Sequence, residues 1–266
     1  MWLPETEKVL NILSEEEGIK DYVFVGGSAL SYYLNHRLSE DIDLAYPEEF
    51  LKMDNSIDRI ISNLSKKDLA IIEKPESASR HYERNVYAND VKITFYASNE
   101  RFLQYQQNTF RNNLKIADLD ALIAMKGMVI HNRAVLRDYY DLYSLTVAFG
   151  FKKIIDETQK FYNTDKLTRF NKANFLQEIV NLETIKEETI ESYLKPVHNV
   201  SKTDLEMFFL NRTKEYISQQ FRENKEQEIK NSQNKISEPQ THKLDVFDQD
   251  LQNRQNKQEI KRKFGW

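Results

Sequence analysis

The sequence predicts an α+β fold, in which a mixed sheet with flanking helices precedes a C-terminal helical bundle. Five of the six glycines in the 266-residue chain lie at or before Gly150, and a long glycine-free stretch follows. Short β-rich runs occur before that point, and apolar residues recur at helical spacing after it. These observations divide the chain into a mixed α/β part over residues 1–150, a helical bundle over 151–222 and a tail over 223–266.

Apolar patterning predicts the elements of the first part in order. Gly26-Gly27 ends a short β-rich run abruptly, and Ser28 is a typical residue for the N-cap of the helix that follows. Pro47 ends the next predicted strand. The patterns predict helices over 5–17, 28–35 and 50–64, strands over 22–25, 41–46, 69–72, 82–87 and 91–97, and further helices from about Leu119.

The last two parts differ from each other in apolar content. Residues 151–222 contain Ile154, Ile155 and Phe161 and similar groups at helical spacing, which predict a small bundle packed on the α/β part. Residues 223–266 are rich in Lys, Glu, Gln and Asn, and their sparse apolar residues lack sustained periodicity. We therefore expect a tail that is mobile or loosely helical.

Composition excludes several classes of protein. The chain has no cysteine, which excludes a disulfide framework and a cysteine metal site and suits a reducing cytoplasm. The N-terminal segment lacks the pattern of a signal peptide. The sequence contains no run of about 18 apolar residues, so we expect no membrane span. The formal net charge of −4 argues against a bulk electrostatic nucleic-acid binder. We expect a cytoplasmic protein with no membrane contact.

The turn at Gly26-Gly27-Ser28 has features that a triphosphate requires. Gly26 and Gly27 lack a Cβ, which permits close approach of a phosphate to the backbone. The helix that starts there offers unpaired N–H groups and the positive end of its dipole. The hydroxyl of Ser28 could touch a phosphate oxygen. A lone Gly-Gly is usually only a turn, so the prediction depends on the residues that follow.

Those residues are two carboxylates on a predicted strand. Asp41 and Asp43 are two positions apart and therefore face the same side, whereas Ile42 and Leu44 point into the core. Paired carboxylates repel each other unless a cation bridges them, and Mg²⁺ or Mn²⁺ would take these hard oxygen ligands. A lone Asp-x-Asp is more often solvated surface, but its combination with the turn predicts a metal and nucleotide site. Arg37 could bind a phosphate or only brace Asp41.

Gly26-Gly27-Ser28, followed after twelve residues by Asp41-Ile42-Asp43, resembles the signature of DNA polymerase β-type nucleotidyltransferases. The wider string through Leu44 is similar to the AbiEii/AbiGii toxins of type IV toxin–antitoxin and phage-abortive systems. The resemblance covers about residues 20–145. It implies a polymerase β-type domain over 1–150 that transfers a nucleoside monophosphate from an NTP, with Mg²⁺. It also implies an acceptor in translation, such as a tRNA 3′ end, and a cognate antitoxin.

Residues 118–149 carry a second set of charges. If this stretch is one continuous helix, Lys126, Arg133, Arg137 and Asp141 lie near one face, where they could bind phosphate. By the resemblance, Lys126 binds nucleotide phosphate, Arg137 lies in the same site, and Asp138 or Asp141 is a late catalytic or structural acid. The simpler alternatives are a solvated Lys126 and an i,i+4 salt bridge between Arg137 and Asp141.

One strand position departs from the family pattern. Polymerase β-type transferases usually add a third carboxylate from a neighbouring strand, and alternation in that strand assigns the position to Thr94. Asp90 or Glu83 could substitute, and no spacing favours either. Thr94 therefore supports an alternative function, an NTP-binding module with weak or no catalysis that acts through a protein partner. Nucleotidylylation of a protein is a third hypothesis, although chains of that kind are usually much shorter.

Overall fold

In the described residues, α-helices and strands alternate over residues 4–73, and four further strands follow before the helical region. The computed structural model describes residues 2–47, 50–67, 69–73, 83–132, 135–163, 170–183, 185 and 195–237. The strands are β1 (Val23–Val25), β2 (Ile42–Tyr46), β3 (Ile71–Glu73), β4 (Glu83–Ala88), β5 (Val91–Ala97), β6 (Gln107–Arg111) and β7 (Leu114–Ala117). The helices are α1 (Pro4–Ser14), α2 (Gly26–Leu34), α3 (Phe50–Leu64), α4 (Leu119–Asn132), α5 (Leu136–Phe149), α6 (Phe151–Tyr162), α7 (Lys172–Glu178) and α8 (Lys202–Ser237).

The strands of the described chain form one mixed sheet in the order β3-β4-β5-β2-β1-β7-β6. β2 is antiparallel to β1 and parallel to β5. Ile42 and Leu44 are fully buried, as the sequence predicts, and Asp43 between them faces the opposite side of the sheet. The α+β prediction is confirmed, and the central strands bring Asp43 to the middle of one sheet face.

The hairpin of β6 and β7 is an element that the sequence pattern did not predict. Asn112 occupies the turn with a φ of 43°, a left-handed conformation that Asn tolerates better than most residues. β6 is polar and lies at the edge of the sheet, so it lacks the alternation that identifies a half-buried strand. β7 pairs in parallel with β1 and extends the sheet on that side.

The helical region packs on the α/β part mainly through α4. Gly127 of α4 lies so close to Thr158 of α6 that a Cβ at this position would overlap the threonine hydroxyl. Aromatic residues then extend the core, with the ring centroids of Phe151 and Phe175 6.2 Å apart and those of Phe151 and Phe209 6.4 Å apart. A glycine therefore permits the close crossing that joins the predicted bundle to the rest of the fold.

Spatial contacts divide the chain into two units, Met1–Lys214 and Glu215–Trp266. The predicted boundary at residue 150 falls between α5 and α6, inside the first unit. In the second unit, α8 continues to Ser237, beyond the predicted end of the helices near Arg222. The rest of the predicted tail lies outside the described residues. No helix in the described part of the chain is long and apolar enough to cross a membrane.

Candidate active site

A pocket of about 450 Å³ lies between the sheet face of β2 and β5 and the helices α2, α4 and α5. Most of the predicted site residues line it, namely Gly26, Gly27, Arg37, Asp41, Asp43, Lys126 and Arg137. The remaining predicted residues, Ser28, Asp138 and Asp141, are buried. The sheet contributes Glu83, Lys92, Thr94 and Tyr96, and α4 contributes Leu122, Met125 and Val129. The two separate motifs of the sequence therefore meet at one cavity.

The two glycines make room for charged side chains of the protein itself. Gly26 has a φ of 77°, and a Cβ there would overlap the carboxylate of Asp43. A Cβ at Gly27 would overlap the guanidinium of Arg37. Their use for close approach of a triphosphate stays a prediction, but a Cβ at either position would first have to displace the side chain of Asp43 or Arg37.

The hydroxyl of Ser28 supports a loop and does not cap the helix. α2 begins at Gly26 with Val25 as its N-cap residue, so the prediction that Ser28 caps this helix is wrong. Ser28 is buried, and its hydroxyl lies 2.6 Å from the Ser39 hydroxyl and also bonds to the carbonyl of Asp41. Ser28 therefore holds the segment that leads into β2.

Asp41 and Asp43 present their carboxylates to the pocket from the start of β2. Both side chains are half-buried and line the cavity. Asp41 precedes the first residue of the strand, and Asp43 pairs in register with Thr94 of β5. In the part of the chain that the structure describes, no group of three or more His, Asp or Glu side chains is arranged to hold a metal. The acidic centre is therefore this pair.

Thr94 belongs to a short chain of hydrogen bonds across the sheet. Its hydroxyl donates to Asn85 Oδ1 over 2.9 Å, and Asn85 Nδ2 donates to Glu83 Oε1 over 3.0 Å. Of the two acids considered as substitutes for a third carboxylate, Glu83 lines the pocket, whereas Asp90 lies in the turn between β4 and β5. Glu83 is therefore the acid that the fold brings to the pocket.

A buried network of ion pairs, which we call the ion-pair cluster, consists of His36, Arg37, Lys126, Asp138 and Asp141. Arg37 binds Asp141 through two bonds, Nε to Oδ1 over 2.6 Å and Nη2 to Oδ2 over 3.0 Å. Lys126 Nζ lies 2.9 Å from Asp138 Oδ1 and 2.7 Å from Asp141 Oδ2. His36 Nε2 lies 2.7 Å from Asp141 Oδ1. No member is more than 6% exposed, so each charge depends on its partners.

Burial and pairing oppose each other in setting the pKa values of the ion-pair cluster. Burial alone would raise the pKa of Asp141, but Arg37 and Lys126 outweigh it and hold that pKa well below its usual value. Burial would lower the pKa of Lys126, but Asp141 and Asp138 raise it. Burial dominates at His36 and lowers its pKa despite the bond to Asp141. Asp141 is therefore an ionised anchor at neutral pH and a poor proton acceptor.

The structure contradicts one condition and one alternative that the sequence analysis stated for the second motif. The stretch is not one helix, because α4 ends at Asn132 and α5 begins at Leu136 after Val135 with extended backbone. Arg137 does not pair with Asp141 as an i,i+4 salt bridge. Arg137 is instead exposed at the pocket and makes no ion pair with a described residue. The predicted position of Arg133 lies outside the described residues.

The structure contradicts one alternative each for Arg37 and Lys126, and their binding of phosphate stays a prediction. Arg37 does not brace Asp41, since it spans the pocket wall to Asp141 on α5. Lys126 is not a solvated lysine. His36 and Lys92 were missed by the sequence analysis. The signal for His36 was its position beside Arg37, directly before the Asp-x-Asp segment. The signal for Lys92 was its position two residues before Thr94, on the same face of the strand.

A family model described as nucleotidyl transferase AbiEii toxin, type IV toxin–antitoxin system, matches residues 8–259. An uncharacterised protein of Aquifex aeolicus strain VF5 is 26% identical over 208 residues, which cover 74% of this chain and 88% of that protein. MenT4, a nucleotidyltransferase toxin of Mycobacterium tuberculosis H37Rv, superposes with a TM-score of 0.53 at 12% identity, over 79% of this chain and 82% of its own.

The Helicobacter pylori protein JHP933 is 18% identical with a TM-score of 0.45, over 84% of this chain and 97% of its own. The likeness to MenT4 is one of fold alone. The family model, by contrast, covers nearly the whole chain and includes both motifs of the pocket. The chain belongs to the AbiEii family of nucleotidyltransferase toxins of type IV toxin–antitoxin systems.

Proposed function

We propose that the pocket transfers a nucleoside monophosphate from an NTP to an acceptor that is an RNA, with tRNA implied by the family resemblance, or a protein. The observation that carries this proposal is the pair of carboxylates, Asp41 and Asp43, beside the first turn of α2 in one cavity. The first N–H groups of a helix lack intrahelical partners and favour anions. A pocket of about 450 Å³ has the size of a small-molecule site.

The carboxylate pair fits Mg²⁺ or Mn²⁺. The Asp41 carboxylate forms no hydrogen bond or ion pair with a described residue, and Asp43 shares its wall of the pocket. Mg²⁺ is commonly bound by one or two carboxylates together with substrate phosphates, so a third protein carboxylate is not required. When bound, such an ion offsets the charge of the phosphates during displacement at the α-phosphate.

Four cations of the pocket divide into two kinds. Arg137 and Lys92 line the pocket without an ion pair to a described residue, and we assign them to the phosphates of the NTP. Arg37 and Lys126 are held by Asp141. An ammonium has three N–H groups, and two of those of Lys126 face Asp138 and Asp141, which leaves the third for a phosphate oxygen.

With the NTP held in this way, the reaction is an in-line displacement. The acceptor oxygen forms a bond to the α-phosphorus as the bond to pyrophosphate breaks, and the proton of the acceptor hydroxyl passes to solvent. We assign Asp138 and Asp141 to positioning, because both are fully buried and do not line the pocket. Their contribution is to orient Lys126 and Arg37 before the NTP binds.

The proposal is tested by incubating the protein with each α-labelled NTP, Mg²⁺ and total bacterial RNA plus lysate. We expect label on RNA or on protein, and none with the variant Asp41→Ala/Asp43→Ala. The matched control is Glu17→Ala/Asp156→Ala, which removes two carboxylates of exposed ion pairs outside the pocket. Equal labelling by the wild type and the Asp41→Ala/Asp43→Ala variant would overturn the assigned mechanism. Expression of the wild type should arrest growth, and expression of Asp41→Ala/Asp43→Ala should not. We expect a cognate antitoxin to relieve the growth arrest caused by the wild type.

Thr94 supports a second candidate, an NTP-binding module with weak or no catalysis. The residue opposite Asp43 in the sheet is a threonine that is committed to a hydrogen bond with Asn85. Saturable NTP binding without a labelled product, together with toxicity that survives Asp41→Ala/Asp43→Ala, would favour this candidate. A metal-dependent product would exclude it. Label on a partner protein and not on RNA would identify protein as the acceptor.

A further inference from the structure

The N-terminal segment, which is separate in sequence from the pocket motifs, contacts α2 and the loop that leads to Asp41. Trp2 Nε1 donates to the carbonyl of Ser28 over 2.9 Å, and the Trp2 backbone forms an isolated parallel bridge with Ser39. The hydroxyl of Thr6 donates to the carbonyl of Glu40 over 3.0 Å, and Thr6 is only 1% exposed. Thr6 therefore binds the loop before β2 directly, and Trp2 binds Ser28, whose own hydroxyl bonds to the Asp41 carbonyl.

The loop over residues 38–41 depends on side chains for its backbone hydrogen bonds. Three of its carbonyls accept from side chains: that of Leu38 from the adjacent Arg37, and those of Glu40 and Asp41 from the more distant Thr6 and Ser28. Regular pairing of β2 begins only at Ile42. The position of Asp41 is therefore set by these bonds and not by the strand ladder.

Trp2 is itself fixed by an aromatic and cationic environment. Its ring stacks on Tyr32 of α2, with centroids 5.9 Å apart and planes inclined by 9°. Phe110 of β6 packs edge-on against it at 5.9 Å, and the guanidinium of Arg111 lies 5.2 Å from its centroid. These contacts restrict the orientation of the indole ring, so its N–H points towards the Ser28 carbonyl and the bond to Ser28 is preorganised.

We propose that Trp2 and Thr6 are positioning residues of the site, which hold the loop over residues 38–41 so that Asp41 shares a metal ion with Asp43. This proposal rests on the proposed function. Groups that orient a metal ligand typically change metal affinity about 10- to 100-fold when they are removed. The N-terminal segment is accordingly part of the site, although it contributes no atom to the pocket wall.

The test compares variants that remove one donor and keep the shape of the side chain. Thr6→Val removes the bond to Glu40, and Trp2→Phe removes the bond to Ser28 while keeping an aromatic ring. The dissociation constant for Mn²⁺ is measured by water-proton relaxation on the full chain. We expect each variant to weaken Mn²⁺ binding about tenfold and to raise the metal concentration for half-maximal transfer, while kcat at saturating metal changes little. Thr6→Ser should restore Mn²⁺ affinity.

The matched control is Ser14→Ala, which removes a buried hydroxyl of α1 that donates to the Asn11 carbonyl of the same helix and accepts from Asn112 Nδ2. It should lower the Tm without changing Mn²⁺ affinity. Wild-type Mn²⁺ affinity in Trp2→Phe and Thr6→Val would overturn the proposal, and if one variant does not fold, the other decides. If Asp41→Ala binds Mn²⁺ as the wild type does, the proposed function fails. If only Asp41→Ala loses Mn²⁺ binding, the positioning role alone fails.

Discussion

The charges in and around the pocket form two groups that the fold treats in opposite ways. The ion-pair cluster is buried, and its carboxylates each contact a cation within 3 Å. By contrast, Asp41, Lys92 and Arg137, which we call the open charges, are partly or fully exposed on the pocket wall without an ion pair to a described residue. Buried pairs fix geometry, whereas open charges remain available to a ligand. Substitutions in the two groups should therefore affect different quantities.

The largest expected effect is that of Asp141→Ala. Removing this carboxylate leaves Arg37 and Lys126 buried without their shared partner, and breaking a buried pair costs about 3–5 kcal/mol. We expect the free energy of unfolding, measured in urea, to fall by that amount. The control within the same pocket is Asp41→Ala, for which we expect a change within about 0.5 kcal/mol. Equal losses in the two variants would contradict the distinction between the ion-pair cluster and the open charges.

A smaller effect is expected where a glycine makes room for a charge. Gly26 and Gly150 have similar positive φ values, 77° and 87°, but only at Gly26 would a Cβ meet another group, the carboxylate of Asp43. Gly150→Ala therefore measures the backbone strain alone, about 1–3 kcal/mol for the conformation of Gly150, with φ 87° and ψ 149°. Gly26→Ala should cost about 1–3 kcal/mol more, because it adds overpacking, and only Gly26→Ala should abolish transfer. Equal unfolding free energies would show that Asp43 moves aside without cost.

The Asp41 and Asp43 pair was easier to predict from sequence than the pairing within the ion-pair cluster, for a physical reason. Asp41 and Asp43 follow from local alternation, and the burial of Ile42 and Leu44 confirms that alternation. The bonds of His36 and Arg37 to Asp141 join residues more than a hundred positions apart. Spacing along one helix cannot reveal such partners.

The same limit explains the misassigned local features. Ser28 looks like an N-cap because its hydroxyl follows a strand and a turn, but its acceptor is the distant carbonyl of Asp41. The sequence predicted the order of the main strands and helices because each has its own periodicity. It did not predict β6, because a polar edge strand has no apolar face to detect.

A pH-dependent contribution of His36 is the next effect in size. Burial lowers the pKa of His36 from 6.5, so the folded protein keeps the ring neutral while the unfolded chain takes up a proton below about pH 6.5. The unfolded state then binds more protons, and the free energy of unfolding falls as pH decreases through this range, by at most about 1.4 kcal/mol per pH unit.

His36→Gln isolates this contribution, because its amide can still donate to Asp141 but does not titrate. Urea unfolding of both proteins between pH 5 and 8 should give parallel profiles above pH 7 and a steeper decline for the wild type below pH 6.5. Asp141 does not interfere, since its lowered pKa affects stability only at more acidic pH. Parallel profiles over the whole range would contradict a neutral, buried His36.

The smallest effect on stability is expected for Arg137→Ala, which removes one of the open charges. Arg137 is exposed and makes no ion pair with a described residue, so the free energy of unfolding should change by less than about 0.5 kcal/mol. A charged hydrogen bond to a phosphate contributes about 1.5–3 kcal/mol. The KM for NTP should therefore rise at least about tenfold.

Steady-state transfer assays with Arg101→Ala as control check this prediction, because Arg101 is an equally exposed arginine that does not line the pocket. If Arg137→Ala instead lowers stability and leaves KM unchanged, Arg137 belongs with the structural charges. If both KM and stability are unchanged, Lys92 and the first turn of α2 suffice to hold the triphosphate. Only a raised KM at unchanged stability places Arg137 at the phosphates. An arginine without an ion pair in the folded protein can be removed with little change in the free energy of unfolding, so its loss is detected only when the NTP binds.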